Sequence, residues 1–115
     1  MQEAFDLSQV VERRRKSGKS WLKFLRVPAL SVGIYSLPAG AEDPQDPHTE
    51  DEVYYVVSGR ATLRVGSEDR VAEPGSILFV AANVKHRFHS IEEDLTSLVF
   101  FAPAAGTERR AGGMG

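Results

Sequence analysis

A chain of 115 residues, 42% of them hydrophobic, has room for one domain and enough apolar material for one core. Its 14 basic and 16 acidic side chains leave a formal net charge of −2, so neither nucleic acid nor an anionic membrane is expected as a partner. There is no cysteine, which excludes disulfides, thiolate metal sites and cysteine nucleophiles and leaves three histidines as the candidate nitrogen ligands.

The first eleven residues carry Glu3 and Asp6 and contain no apolar run, so they do not read as a secretory signal. The longest apolar runs are far too short to span a bilayer, and a soluble, cytoplasmic protein is expected. A short helix is predicted after Asp6, which can cap it, with Gln9 three residues on. Leu7, Val10 and Val11 share one face, Arg13 to Lys16 suit the negative end of the helix dipole, and Gly18 stops it. That basic cluster is read as a solvated helix end, because no aromatic residue is interleaved with it.

From Ser20 onward, short strands alternate with turn signals. Eight are predicted: 21–27, 30–37, 52–57, 61–65, 70–73, 77–80, 86–91 and 95–101. Pro38-Ala-Gly40, Ser58-Gly59, Gly66-Ser-Glu-Asp69 and Pro74-Gly75 separate them. Such a series argues for an all-β antiparallel sandwich or barrel. The division expected is a helical segment over 1–19, the barrel over 20–102 and a glycine-rich, disordered tail over 103–115.

The chemistry-bearing stretch lies between Gly40 and Gly59, where Asp46, His48 and Glu52 have the same parity. If the segment is extended, all three can project into one interior. A second stretch starts at Gly75 and places His86 after a turn over Ala81–Val84, in which Asn83 tolerates a left-handed backbone. Two histidines and one carboxylate make the facial set typical of non-heme iron, and they also suit manganese, nickel or zinc.

These stretches resemble the two motifs of the cupin superfamily, small jelly-roll β-barrels that hold one metal in the lumen. The first motif is a glycine, five residues, His-x-His, three or four residues, a glutamate, six residues and a glycine. Gly40, His48, Glu52 and Gly59 match it in identity and spacing, and Asp46 stands at the first histidine. The second motif is a glycine, five residues, Pro-x-Gly, two residues, a histidine, three residues and an asparagine. Gly75 and His86 match it, while Ala81, Asn83 and Ser90 replace the proline, glycine and asparagine. The resemblance implies one divalent ion, Fe, Mn, Ni or Zn, held by His48, Glu52 and His86, with Asp46 as a further candidate ligand. It also implies a small single-domain cupin of the compact bacterial kind.

Each residue has a blander reading. His48 could be a loop histidine after Pro47, and Glu52 a solvated carboxylate beside Glu50 and Asp51. His89, out of phase with His86 and Phe88, is expected to point away from the metal. Tyr54, Phe79 and Phe88 are expected in the core or lumen wall. Val53, Tyr55 and Val57 make the strand after Glu52 apolar on its outer face too, so that face needs a cover. The N-terminal helix or a second subunit in a homodimer could supply it.

The functional expectation is a metal-dependent enzyme acting on a small organic acid or enol, most narrowly a dioxygenase, with lyase and isomerase chemistry also implied by the resemblance. Tyr54 and Asp46 are the candidate proton-transfer groups. The alternatives are a non-catalytic small-molecule binding or sensing module and a structural dimer with an empty lumen.

Overall fold

The computed structural model describes residues 4–44 and 47–106. Helix α1 (Leu7–Ser17) is followed by strands β1 (Trp21–Val27), β2 (Leu30–Leu37), β3 (Asp51–Val65), β4 (Glu68–Ala72), β5 (Ile77–Val80) and β6 (His86–Ala102). The helix starts and stops as predicted. Asp6 accepts a hydrogen bond from the Gln9 N–H, and Gly18 takes a left-handed conformation with φ of 72° at the other end.

All strand pairings are antiparallel, in the order β1-β2-β6-β3-β4, and β5 pairs with the first part of β3. One edge of β3 thus serves β6 along most of its length. The other edge is shared by β5, opposite Glu52 to Tyr55, and β4, opposite Ala61 to Val65. The sheet wraps a single core that draws Tyr35 and Leu37 from β2, Tyr54, Val56 and Leu63 from β3, Val80 from β5, and Phe88, Leu95, Val99 and Phe101 from β6. The result is a single antiparallel jelly-roll barrel with a short N-terminal helix, although the hydrogen-bonded path does not close on itself.

Two pairs of predicted strands prove to be one strand each. Residues 52–57 and 61–65 belong to β3, and residues 86–91 and 95–101 belong to β6. The turn signals between them bend the ladder instead of ending it. The β3–β6 register slips between Val56 and Thr62. Gly59 sits in that bend with φ of 97°, and a Cβ there would fall 2.2 Å from the Asp94 carbonyl oxygen. Only glycine satisfies both the backbone angle and the close approach, the usual physics of a bulge.

Helix α1 packs against β1 and β2, burying Val10, and the Phe5 ring, just ahead of it, packs tilted against Phe24. It is therefore the cover for the first two strands and not for the outer face of β3. On that face Val53 pairs with Phe79 and Phe100, and Tyr55 pairs with Ile77 and Leu98. Ile77 is 71% exposed and Phe79 61%. This corrects the expectation that Phe79 lies inside the barrel. The register places Val80 opposite Glu52 on the inner face, which turns Phe79 outward.

The first residues of the expected disordered tail are held in place. The Ala104 N–H donates to the Pro28 carbonyl, the Ala105 N–H to the Ser31 hydroxyl and the Gly106 N–H to the Glu50 carboxylate, and Ala104 is fully buried. The remainder of that expectation, 107–115, lies outside the described residues. No described helix is long and apolar enough to cross a membrane.

Candidate metal centre

Strand alternation decides which side chains β3 sends inward. Glu52, Tyr54 and Val56 are buried, while Asp51 and Tyr55 are exposed and Val53 half-buried. Glu52 is the second residue of that strand, and His86 is the first of β6. His48 comes from the loop ahead of β3 rather than from an extended strand, so its position does not follow from parity.

Backbone bonds hold these three segments in register. The Asn83 N–H donates to the His48 carbonyl at 2.6 Å. The Ala82 N–H donates to the Asp51 carboxylate at 2.9 Å. The turn ahead of His86 is thereby tied both to the His48 loop and to the strand that carries Glu52. Asn83 takes the left-handed conformation read from the sequence, with φ of 66°.

His48, Glu52 and His86 each offer one ligand atom, and the three atoms lie within 4.8 Å of one another. Glu52 and His86 are almost completely buried, and His48 is half-buried. The rings of His48 and His86 sit 5.6 Å apart, with Phe101 against His48 and Tyr54 against His86. These apolar neighbours limit solvent access to the donor atoms.

The polar bookkeeping shows that the donors fit a cation. His86 Nδ1 lies 2.9 Å from the Val84 carbonyl, which can only accept, so Nδ1 carries the proton and Nε2 presents a lone pair in the neutral ring. Nε2 is 2.9 Å from Glu52 Oε1, yet neither that nitrogen nor either Glu52 oxygen has a well-aligned hydrogen bond. Buried polar atoms are rarely left so. Two acceptors in contact repel unless a proton or a metal ion lies between them. Burial opposes a charge on His86, but the Glu52 carboxylate, the Val84 carbonyl and Asp43 outweigh it and hold the imidazole pKa above its ordinary range.

A second buried polar group was not legible in the sequence. The Tyr35 hydroxyl donates to Asp43 Oδ1 at 2.6 Å, and the Phe88 N–H donates to Asp43 Oδ2 at 2.8 Å. Burial, then the hydrogen bond to Asp43 and the charges of Asp43 and Glu52, push the Tyr35 pKa far above its ordinary value of 10, so the phenol stays neutral. Asp43 lies in a loop and has no periodic signal. Its nearest cue was its place inside the first motif.

Of the other predicted residues, Asp46 lies outside the described residues. Tyr54 and Phe88 are fully buried against each other, as expected for a lumen wall. His89 points away from the site, with Nε2 3.0 Å from Asp69. The acidic run around Glu52 is not a solvated patch, because Glu50 is also buried and only Asp51 is exposed.

A protein of Streptomyces coelicolor described as uncharacterized is 48% identical over 100 residues, covering 87% of this chain and 95% of that protein. The crystal structure of TT1209 from Thermus thermophilus superposes with a TM-score of 0.70 at 25% identity, covering 90% of this chain and 99% of that one. The DMSP lyase DddQ from Ruegeria pomeroyi DSS-3 superposes with a TM-score of 0.62 at 23% identity; 66% of this chain is covered, and it spans only 39% of the lyase. The family model for the cupin domain matches residues 33–101, which include His48, Glu52 and His86 and all of β3, β4 and β5. With barrel, donor set and family model in agreement on those residues, the chain belongs to the cupin family.

Proposed function

We propose that this chain binds one divalent transition ion, Fe, Mn, Ni or Zn, through His48, Glu52 and His86 and acts with it on a small organic acid or enol. The observation that supports the reading is the convergence of His48, Glu52 and His86, whose ligand atoms lie within 4.8 Å of one another in the barrel interior. Two nitrogens and one carboxylate are the donors of a facial set. Such an ion, when bound, supplies a Lewis acid with positions left for water or a chelating ligand. The chain's own residues do the rest. Phe101 and Tyr54 shield the two histidine rings, and the Val84 carbonyl fixes the His86 tautomer. Asp43, held by Tyr35, lines the same cavity as His86, and Tyr54 and Asp46 are the proton-transfer candidates.

Within that class a dioxygenase is the narrowest reading of the donor set, with lyase and isomerase chemistry next. The replacement of the first motif histidine by Asp46 favours a second reading, a binding or sensing module without turnover. Elemental analysis of protein purified without added metal or a chelating tag tests the site, with roughly one ion per chain expected. Oxygen uptake against a panel of small acids and diketones then separates enzyme from binding module.

A further inference from the structure

β3 ends and β6 begins at one edge of the barrel. A cavity of about 470 Å³ lies there, lined by Asp43, Arg64, Gly66, Lys85, His86 and Arg87. Three of these six, Arg64, Lys85 and Arg87, are basic side chains. The single carboxylate, Asp43, already accepts from the Tyr35 hydroxyl and the Phe88 N–H through separate oxygens. Arg64 has a loose contact of 3.6 Å with Asp69, which is also bonded to His89. Among the described residues, Lys85 and Arg87 make no ion pair.

The placement of the two arginines is unfavourable as it stands. Arg64 and Arg87 are directly opposite partners across the β3–β6 ladder, and like charges in that position repel. Elsewhere around β3 and β4 the cations are matched: Arg60 meets Glu73 and Glu92, and Arg70 meets Glu68. An anion between Arg64 and Arg87 would turn the repulsion into two charge-assisted contacts, and guanidinium groups present their donors in the planar geometry that carboxylate and phosphate accept.

We propose that this cavity is an anion site, in which Arg64, Arg87 and Lys85 hold the carboxylate or phosphate of a small ligand. Anion binding itself does not need the metal.

The test is an amide-shift titration of the full chain in chelator, at constant ionic strength, with inorganic phosphate and separately with malonate. Saturable shifts centred on Gly66, Lys85 and Arg87 are expected, with little change at Phe79 on the outer face. Arg87→Glu should weaken binding by at least about tenfold, and Arg64→Glu, the second variant, should do the same. Arg60→Glu, at a site already paired with acids, should leave it unchanged. Phosphate binding without malonate binding assigns a phosphorylated ligand, and the reverse assigns a carboxylate. Shifts that do not saturate with either anion, or affinities untouched in both variants, overturn the proposal. Because the titration is run without metal, a failure of the metal centre leaves its outcome intact, and the two failures are distinguishable.

Discussion

His86 Nε2 and Glu52 Oε1 lie 2.9 Å apart in the barrel interior, both side chains 1% exposed, and neither atom has a well-aligned hydrogen bond. A pair of acceptors placed so needs something positive between them. If the proposed centre holds, His86→Ala should lower metal content at least about tenfold, since it removes one of the three candidate ligands. The circular dichroism of the barrel should survive, because the core around Leu63 and Leu95 is untouched. Full metal stoichiometry in that variant would sink the assignment.

Asp46 is expected to matter less than His48. Its side chain is shorter, and in the sequence it stands between Gln45 and Pro47. Metal content of Asp46→Ala should stay well above that of His48→Ala. Equal losses would make Asp46 a full ligand.

The Tyr35–Asp43 bond has an alkaline signature. The folded chain holds the Tyr35 phenol above its ordinary pKa of 10, so the stabilisation is complete below that pH and is lost as the pH rises beyond it. Tyr35→Phe should be less stable than the wild type at neutral pH by about 1–3 kcal/mol, because a buried Asp43 oxygen loses its donor. The gap should narrow above pH 10. Urea denaturation of both proteins across that range checks it, and a constant gap would contradict the buried phenol.

Gly59→Ala should destabilise the barrel by more than about 1 kcal/mol, since it meets both a left-handed backbone and the Asp94 carbonyl. Gly40→Ala, with a positive φ but nothing within 4 Å of the added carbon, should be milder. Thermal melts that rank the two in the opposite order would show that β3 does not need the close approach to β6.

The outer face of β3 predicts a homodimer. Val53, Tyr55, Ile77, Phe79 and Phe100 form a connected apolar surface that α1 does not cover, and monomers rarely leave such surfaces open. Sedimentation equilibrium should find a dimer at micromolar concentration, dissociated by Phe79→Glu or Tyr55→Glu. A monomeric wild type refutes the dimer, and two fully dimeric variants move the interface elsewhere.

The helix, the strand-rich remainder and the three candidate donors that the structure brings together were legible in the sequence by itself, because each rests on local chemistry. Asp6 and Gly18 punctuate a helix wherever they flank an apolar stripe, and strand parity alone placed Glu52 and Tyr54 inside and Tyr55 outside. Only the tertiary structure decided what depends on contacts distant in sequence. Ser58-Gly59 looks the same whether it ends a strand or bends one, and the pairing with β6 decides for the bend. Phe79 faces solvent because Val80, its neighbour, lies opposite Glu52. Asp43 became a buried anchor because the Tyr35 hydroxyl and the Phe88 N–H, 8 and 45 residues away, converge on it. Hydrogen bonds of that span carry no periodicity, so no local pattern announces them.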